Sequence, residues 1–516
     1  MSNIVRDSLK KSVKGSVLII LSLAVSMILW LLARLVIIRN ASMDDAGLYF
    51  MSVALVSIAS LFASMGLMEG TTKYISTFIG KDRPDDAAKA SISSLRAGFF
   101  SGLFVSIILY ALADAIAVRL FYKPNLADPL KAMALLPLFT VVSNVYIGVL
   151  RGFGDIRPRA YILNIGHPLI FIFLLGGCML YGFNIITISY AYVSALAVCT
   201  LLFATYGYST IRINPFSTSK GGFGLEIVRF SIPLLGTALM GVIFSWTDTL
   251  MLGRYAQTDS VAIYNVAVSL ARITNVTPGA YMFVFLPIAA ELYAKGQINE
   301  LNRTYQVMTK WIFYITLPLL FVLFMFPEMT ITVLFKEIYL PASGALRMLC
   351  FGFLINVLVG TLAPFLIVMG KTRFMFNVNA MGTLLNIILN YVFIKHLGYG
   401  IMGAATATSI AFFFTCLIYM FVTYRISGAH PFTIKYMTAI LASVLVGGAL
   451  YVIAKLLPLY MWMMPVYLLL FLLCYSGLLL ILRGVEGEDL QMLRIVLNKV
   501  GISGDGVIEL LGRFVR

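Results

Sequence analysis

With 60% hydrophobic and only 12% charged residues over 516 positions, the chain lies far below the roughly 25% charge of soluble domains, and its mean hydropathy of +0.95 excludes a soluble globular protein. Apolar runs longer than the about 18 residues needed to cross a bilayer recur throughout, so the sequence describes an all-α polytopic membrane protein. The net charge of +16 does not call for nucleic acid, because no soluble basic domain carries it; basic loops between apolar runs orient a chain in the membrane and favour anionic lipid surfaces.

Taken in order, Met1 to Lys14 carries Arg6, Lys10, Lys11 and Lys14, and an uninterrupted apolar run from Ser16 to Ala33 follows. The run is long for a signal-peptide core and no small-x-small cleavage site precedes Arg34, so the first helix is expected to stay, with its N-terminus cytoplasmic. Helices are expected at approximately 15–38, 46–79, 90–118, 130–150, 159–181, 185–209, 227–253, 260–290, 308–335, 342–369, 374–396, 401–424, 434–457 and 461–482, about fourteen spans. With that count the inner segments hold about 26 of the 38 Lys and Arg residues, against about seven in the outer loops, and both termini fall on the cytoplasmic side. The five cysteines, Cys178, Cys199, Cys350, Cys416 and Cys474, all lie in apolar runs without a CxxC or Cys/His cluster. They read as packing residues, with neither a disulfide framework nor a metal site.

The stretch from Ala33 to Lys81 occurs twice. Against Asp248 to Gly296, at an offset of about 215 residues, Arg39 falls on Arg254, Asp44 on Asp259 and Tyr49 on Tyr264. Tyr181-Gly182-Phe183 matches Leu397-Gly398-Tyr399, and Gly154 matches Gly370. The expected organisation is therefore an N-terminal lobe over 1–212, a C-terminal lobe over 213–430, two further spans over 431–483 and a cytoplasmic amphipathic tail over 484–516. In that tail Leu490, Leu493, Leu497 and Val500 recur at helical intervals. Six helices separate equivalent points of the copies, an even number, so the two repeats insert in parallel. Folds of that kind place a substrate site between the halves near the midplane, which is the geometry of a transporter.

The run Leu384-Leu385-Asn386-Ile387-Ile388-Leu389-Asn390-Tyr391 followed by Gly398-Tyr399-Gly400-Ile401-Met402-Gly403-Ala404-Ala405, together with Asp45-Ala46-Gly47-Leu48-Tyr49 and Asp248-Thr249-Leu250-Met251-Leu252-Gly253, resembles the polysaccharide-export flippases. That family belongs to the multidrug, oligosaccharidyl-lipid and polysaccharide exporter superfamily, whose members pair two six-helix lobes around a central cleft. The resemblance covers about residues 10–480 and accounts for the repeat. It implies a flippase in a prokaryotic plasma membrane that moves a lipid-linked oligosaccharide from the inner to the outer leaflet for cell-surface polysaccharide or glycoprotein assembly. It also implies basic residues that attract the substrate's phosphate or pyrophosphate.

Charges inside spans are expensive, about 2.5–3.5 kcal/mol each at a helix centre, and so mark candidate sites. Arg272 is the deepest cation, about 20 Å along the eighth helix at 1.5 Å per residue. Arg34 and Asp248 stand in the outer third of the first and seventh helices, at nearly equivalent repeat positions; they can pair as an outer gate, or serve separately, Arg34 for an anion and Asp248 for a coupling ion such as H+ or Na+. Glu69 and Lys73, at i and i+4, have the order that favours an intrahelical pair, although Lys73 can also meet a phosphate entering from the inner leaflet. Asn386 and Asn390 share a helix face and can hydrogen-bond a neighbouring helix or a sugar. Lys131 and Arg347, at matching repeat positions, are expected to snorkel. Pro287, Pro318 and Pro364 mark kinks. No Ser/His/Asp set, HExxH or phosphate loop is present, so no catalytic residues and no cofactor are expected. Energy must then come from an ion gradient, from removal of product or from a partner such as a glycan-assembly protein. A multidrug or cation antiporter of the same superfamily and a membrane-embedded glycosyl or acyl transferase are the competing readings.

Overall fold

A computed structural model describes residues 3–211, 223–359, 362–432, 435–456, 464–482, 484–487 and 489. In chain order the α-helices are α1 Asn3–Asn40, α2 Met43–Ser64, α3 Leu67–Gly80, α4 Pro84–Ala115, α5 Ala127–Ala132, α6 Leu136–Gly152, α7 His167–Tyr181, α8 Ile185–Ile211, α9 Gly224–Tyr255, α10 Thr258–Ala271, α11 Val276–Ala294, α12 Ile298–Met325, α13 Pro327–Leu334, α14 Ala342–Val359, α15 Leu362–Val368, α16 Thr372–Asn390, α17 Gly400–Ser427, α18 Lys435–Leu456 and α19 Met464–Ile481. Among the described residues helix lies over every expected span, and there is no strand. Among the described residues, ten helical stretches are long and apolar enough to cross a membrane, with shorter apolar helices at Phe285–Ala294, Lys435–Leu450 and Leu469–Ile481. The tail residues Leu490, Leu493, Leu497 and Val500 lie outside the described residues.

Local chemistry explains where helices start and break. Ser42 caps α2 by accepting the Asp45 backbone N–H at 3.0 Å, with Asp44 and Asp45 in the first turn where the helix dipole favours carboxylates. Pro84 opens α4, with Asp85 and Asp86 in its first turn and no side-chain cap. Met65 and Gly66, both left-handed with φ of 45° and 69°, separate α2 from α3 inside one span. A 3-10 turn at Arg272–Asn275 separates α10 from α11. Pro287 and Pro318 lie inside α11 and α12 as expected, whereas Pro364 stands in the first turn of α15.

Packing divides the chain into two compact units, one of residues Met1–Val266 and Thr383–Ala407 and the other of Ala267–Gly382 and Thr408–Arg516. The first has a core of α2, α3, α4 and α6 around Leu67, Ile75, Leu95, Val145 and Val149. Helices in lipid associate by close packing rather than by expulsion of water, so small residues sit at their crossings. At Gly148 an added Cβ would lie 2.6 Å from the Met68 carbonyl oxygen, and Thr72 donates to the Gly148 carbonyl at 3.1 Å. In the second unit Ser409 donates to the Met348 carbonyl at 2.8 Å and Tyr419 to Asn379 at 2.7 Å. There Lys310, 1% exposed, bonds Asp489 at 2.7 Å and Glu486 at 3.0 Å.

The repeat extends to an ion pair. Lys131 pairs with Asp114 at 2.7 Å and Arg347 with Glu328 at 2.9 Å, so each of the two expected snorkelling cations has a carboxylate partner at the matching place in its own copy. All four groups are substantially solvent-accessible, so water screens both pairs.

Candidate functional site

The first unit buries one carboxylate at membrane depth. Asp248 is 6% exposed and lies on α9 about 10 Å from its C-terminal end at 1.5 Å per residue. Tyr264 of α10 donates its hydroxyl to Asp248 Oδ2. From α16, Asn390 donates to Asp248 Oδ1 at 2.8 Å and Asn386 donates to the same oxygen at 3.4 Å. Beside them Asn265 donates to Thr249 Oγ1 at 3.3 Å. Asn386 and Asn390 are fully buried, and their helical spacing of four puts both amides on the face turned to α9. They therefore bond a neighbouring helix, one of the two roles expected of them.

The chemistry of this cluster is specific. Each hydrogen bond just named comes from a neutral donor. Asn390 Oδ1 is buried and accepts no hydrogen bond among the described residues. A fixed carboxylate with an adjacent amide oxygen suits uptake of a proton or of a hard monovalent cation, since both prefer oxygen. Among the described residues no group of three or more His, Cys, Asp and Glu side chains converges as a metal site.

The other expected site residues have these surroundings. Arg34, half-buried on α1, lies 5.8 Å from the centroid of the Phe50 ring. Glu69 does not take Lys73 as its partner. Arg151 of α6 reaches both Glu69 carboxylate oxygens at 3.2 Å, because α3 packs along α6 and the guanidinium fork matches a carboxylate better than an ammonium does. Lys73 is exposed, with its ammonium 3.6 Å from the centroid of the Phe230 ring. Arg272 is half-buried in the second unit, at the first position of the 3-10 turn between α10 and α11. The structure thus joins Asp248 to Asn386 and Asn390. Sequence reasoning missed Tyr264 as a ligand of Asp248. Its signal was the repeat itself, which places Tyr264 on Tyr49 and Asn265 on Phe50, the ring beside Arg34.

An all-helical, multi-pass membrane protein with an internal repeat and a buried carboxylate in a span has the build of a secondary transporter. A family model described as polysaccharide biosynthesis protein matches residues 12–293, over half of the sequence, and the chain belongs to that family, within the multidrug, oligosaccharidyl-lipid and polysaccharide exporter superfamily. A second model, MatE, matches residues 233–392. The chain is 24% identical over 432 residues to an uncharacterized membrane protein of Methanocaldococcus jannaschii, covering 78% of this chain and 82% of that one. It is 22% identical over 383 residues to the probable low-salt glycan biosynthesis flippase Agl15 of Haloferax volcanii, covering 72% and 75% respectively. Among solved structures, the lipid II flippase MurJ in an inward closed conformation is similar with a TM-score of 0.71 at 18% identity, over 88% of this chain and 96% of that one. The protein is accordingly a transporter of this superfamily.

Proposed function

We propose that the protein is a flippase that carries a lipid-linked oligosaccharide from the inner to the outer leaflet of a prokaryotic plasma membrane by alternating access, for cell-surface polysaccharide or glycoprotein assembly. The obstacle such a protein removes is desolvation of a sugar-phosphate headgroup in hydrocarbon, while the lipid tail remains in the bilayer. Arg272, Arg34 and Lys73 are the candidate phosphate-binding groups, since each places a positive charge in an expected spanning segment. Asp248 is the candidate coupling-ion residue. The observation that carries the reading is the buried Asp248 cluster in a chain of the polysaccharide biosynthesis protein family. Glu69, engaged by Arg151, is the weaker coupling candidate.

The test is translocation of a fluorescent lipid-linked oligosaccharide in proteoliposomes under an imposed Na+ or proton gradient. The wild-type protein should move the label to the opposite leaflet, and Asp248→Asn should remove the dependence on the gradient. No translocation above protein-free vesicles under either gradient would falsify the reading. The match of the MatE model to residues 233–392, which contain the Asp248 cluster, favours a multidrug or cation antiporter as second reading. Gradient-driven efflux of a cationic dye, without movement of the lipid, would establish it.

A further inference from the structure

A cavity of about 240 Å³ opens inside the first unit, and none of the charged residues discussed above lines it. Ser57, Ser60 and Ser64 of α2, Thr140 and Asn144 of α6 and Tyr192 of α8 give it a polar stripe on otherwise aliphatic walls. The serines at i, i+3 and i+7 share one face of α2, and Thr140 and Asn144 at i and i+4 share one face of α6. Another lining residue, Val242, lies near the middle of the 32-residue α9, so the cavity is at span depth.

The polar groups of this stripe are only partly satisfied. Ser57 donates to the Val53 carbonyl at 2.6 Å and Ser64 to the Leu61 carbonyl at 2.8 Å, which leaves both hydroxyl oxygens able to accept. Ser60 is 7% exposed, and neither it nor Thr140, Asn144 or the Tyr192 hydroxyl has a hydrogen-bond partner among the described residues. Buried polar groups are normally paired, and an unpaired one in a membrane interior is costly. Six neutral donors and acceptors on an apolar wall are therefore suited to a ligand that is polyhydroxylated on one side, apolar on the other and uncharged. The volume falls below the about 300–1,000 Å³ of pockets for drug-sized ligands.

We propose that this cavity seats one neutral sugar ring of the transported headgroup. Ser60, Thr140 and Asn144 hydrogen-bond its hydroxyls and the Tyr192 ring covers its C–H face. The inference rests on the proposed function and adds a specificity site to it. The phosphate would be bound elsewhere, by the cations already named.

The test uses the full chain in lipid nanodiscs and compares binding of short-chain polyprenyl phosphates that carry glucose, mannose, N-acetylglucosamine or glucuronate with that of the sugar-free lipid phosphate. At least one neutral sugar should tighten binding about tenfold, the equivalent of two ordinary hydrogen bonds, and glucuronate should not. Ser60→Ala with Thr140→Val should abolish that gain and leave binding of the sugar-free lipid unchanged. Tyr192→Phe, which keeps the ring, should lose only the part due to the hydroxyl. Equal binding of all five lipids by the wild-type chain, or an undiminished gain in the double variant, would overturn the sugar site and leave the transport reading standing. Binding of none of them would overturn both.

Discussion

Asn390 donates its side-chain amide to Asp248 across 2.8 Å, tying α16 to α9 through a carboxylate inside the membrane. The internal repeat makes the arrangement informative. In the first copy the corresponding level of the helix pair carries Arg34 beside Phe50; in the second it carries Asp248 beside Tyr264 and Asn265. One duplicated scaffold thus holds a cation in one copy and an anion in the other.

Asp248→Asn keeps the shape of the side chain and removes the charge. It should leave folded protein in the membrane near the wild-type amount and eliminate the response of translocation to the ion gradient. Exchanging Arg34 and Asp248 distinguishes an ion-paired gate from separate roles: a pair predicts partial rescue in the swap, separate roles predict additive losses, as a double-mutant cycle reads directly. Tyr264→Phe, which removes one donor from the carboxylate, should lower stability by about 1–3 kcal/mol.

Much of this architecture is legible in the sequence because lipid leaves few alternatives. A spanning segment must satisfy its own backbone, so a long apolar run is a helix. The common face of Asn386 and Asn390 follows from their spacing, yet their partner is 138 and 142 residues away, and no local rule reaches that far. Glu69 shows the converse: Lys73 stands at the favoured i+4 position, and the closer packing of α6 delivers Arg151 instead. The serines of the cavity escaped notice because serine in an apolar helix also serves as a small packing residue.

Gly47 and Thr258 come together where α2 meets the start of α10. A Cβ at position 47 would lie 2.2 Å from the Thr258 carbonyl oxygen and 2.7 Å from its Cγ2. The obstacle includes backbone, so the helices must separate to admit it. Gly47→Ala should lower the thermal midpoint of the purified protein, with a cost of about 1–3 kcal/mol typical of overpacking. An unchanged midpoint would mean that the two helices do not touch in the membrane.

In the second unit, Lys310 and Asp489 are both essentially buried, at 2% and 0% side-chain exposure, and Trp311 donates to the other Asp489 oxygen at 2.9 Å. Removing one member strands the other, which typically costs about 3–5 kcal/mol. Lys310→Met should therefore deplete folded protein. Lys310→Met combined with Asp489→Asn should recover part of the loss, because no charge then remains unpaired between the two positions. Full stability of the single variant would show that solvent reaches Asp489.

Asp155 supplies a pH test outside the spans. The Arg157 guanidinium, bonded at 2.9 and 3.0 Å, holds its carboxyl below the usual range, and the Tyr206 hydroxyl at 2.7 Å acts in the same direction. A depressed folded-state pKa contributes stability that is present above the unfolded value of about 3.9 and is lost as pH falls through the folded value. The wild-type chain should thus melt higher than Asp155→Asn at pH 7, with the gap closing below about pH 4. A gap that persists to lower pH would assign the effect to packing.

Arg272 offers the sharpest test of the substrate reading. It opens the 3-10 turn that interrupts the span between α10 and α11, and a charge within a span carries a cost of about 2.5–3.5 kcal/mol that a structural role alone seldom justifies. A phosphate group needs a positive charge that survives burial, and guanidinium supplies it with forked donors matched to phosphate oxygens, whereas lysine supplies the charge without the fork. Arg272→Lys should retain part of the translocation of a lipid-linked oligosaccharide in proteoliposomes. Arg272→Ala should abolish it and weaken binding of the sugar-free lipid phosphate, on which the cavity variant Ser60→Ala/Thr140→Val has no effect. If Arg272→Ala instead depletes folded protein while the surviving fraction transports at the normal rate, the residue shapes the helix break, and phosphate recognition passes to Arg34 and Lys73.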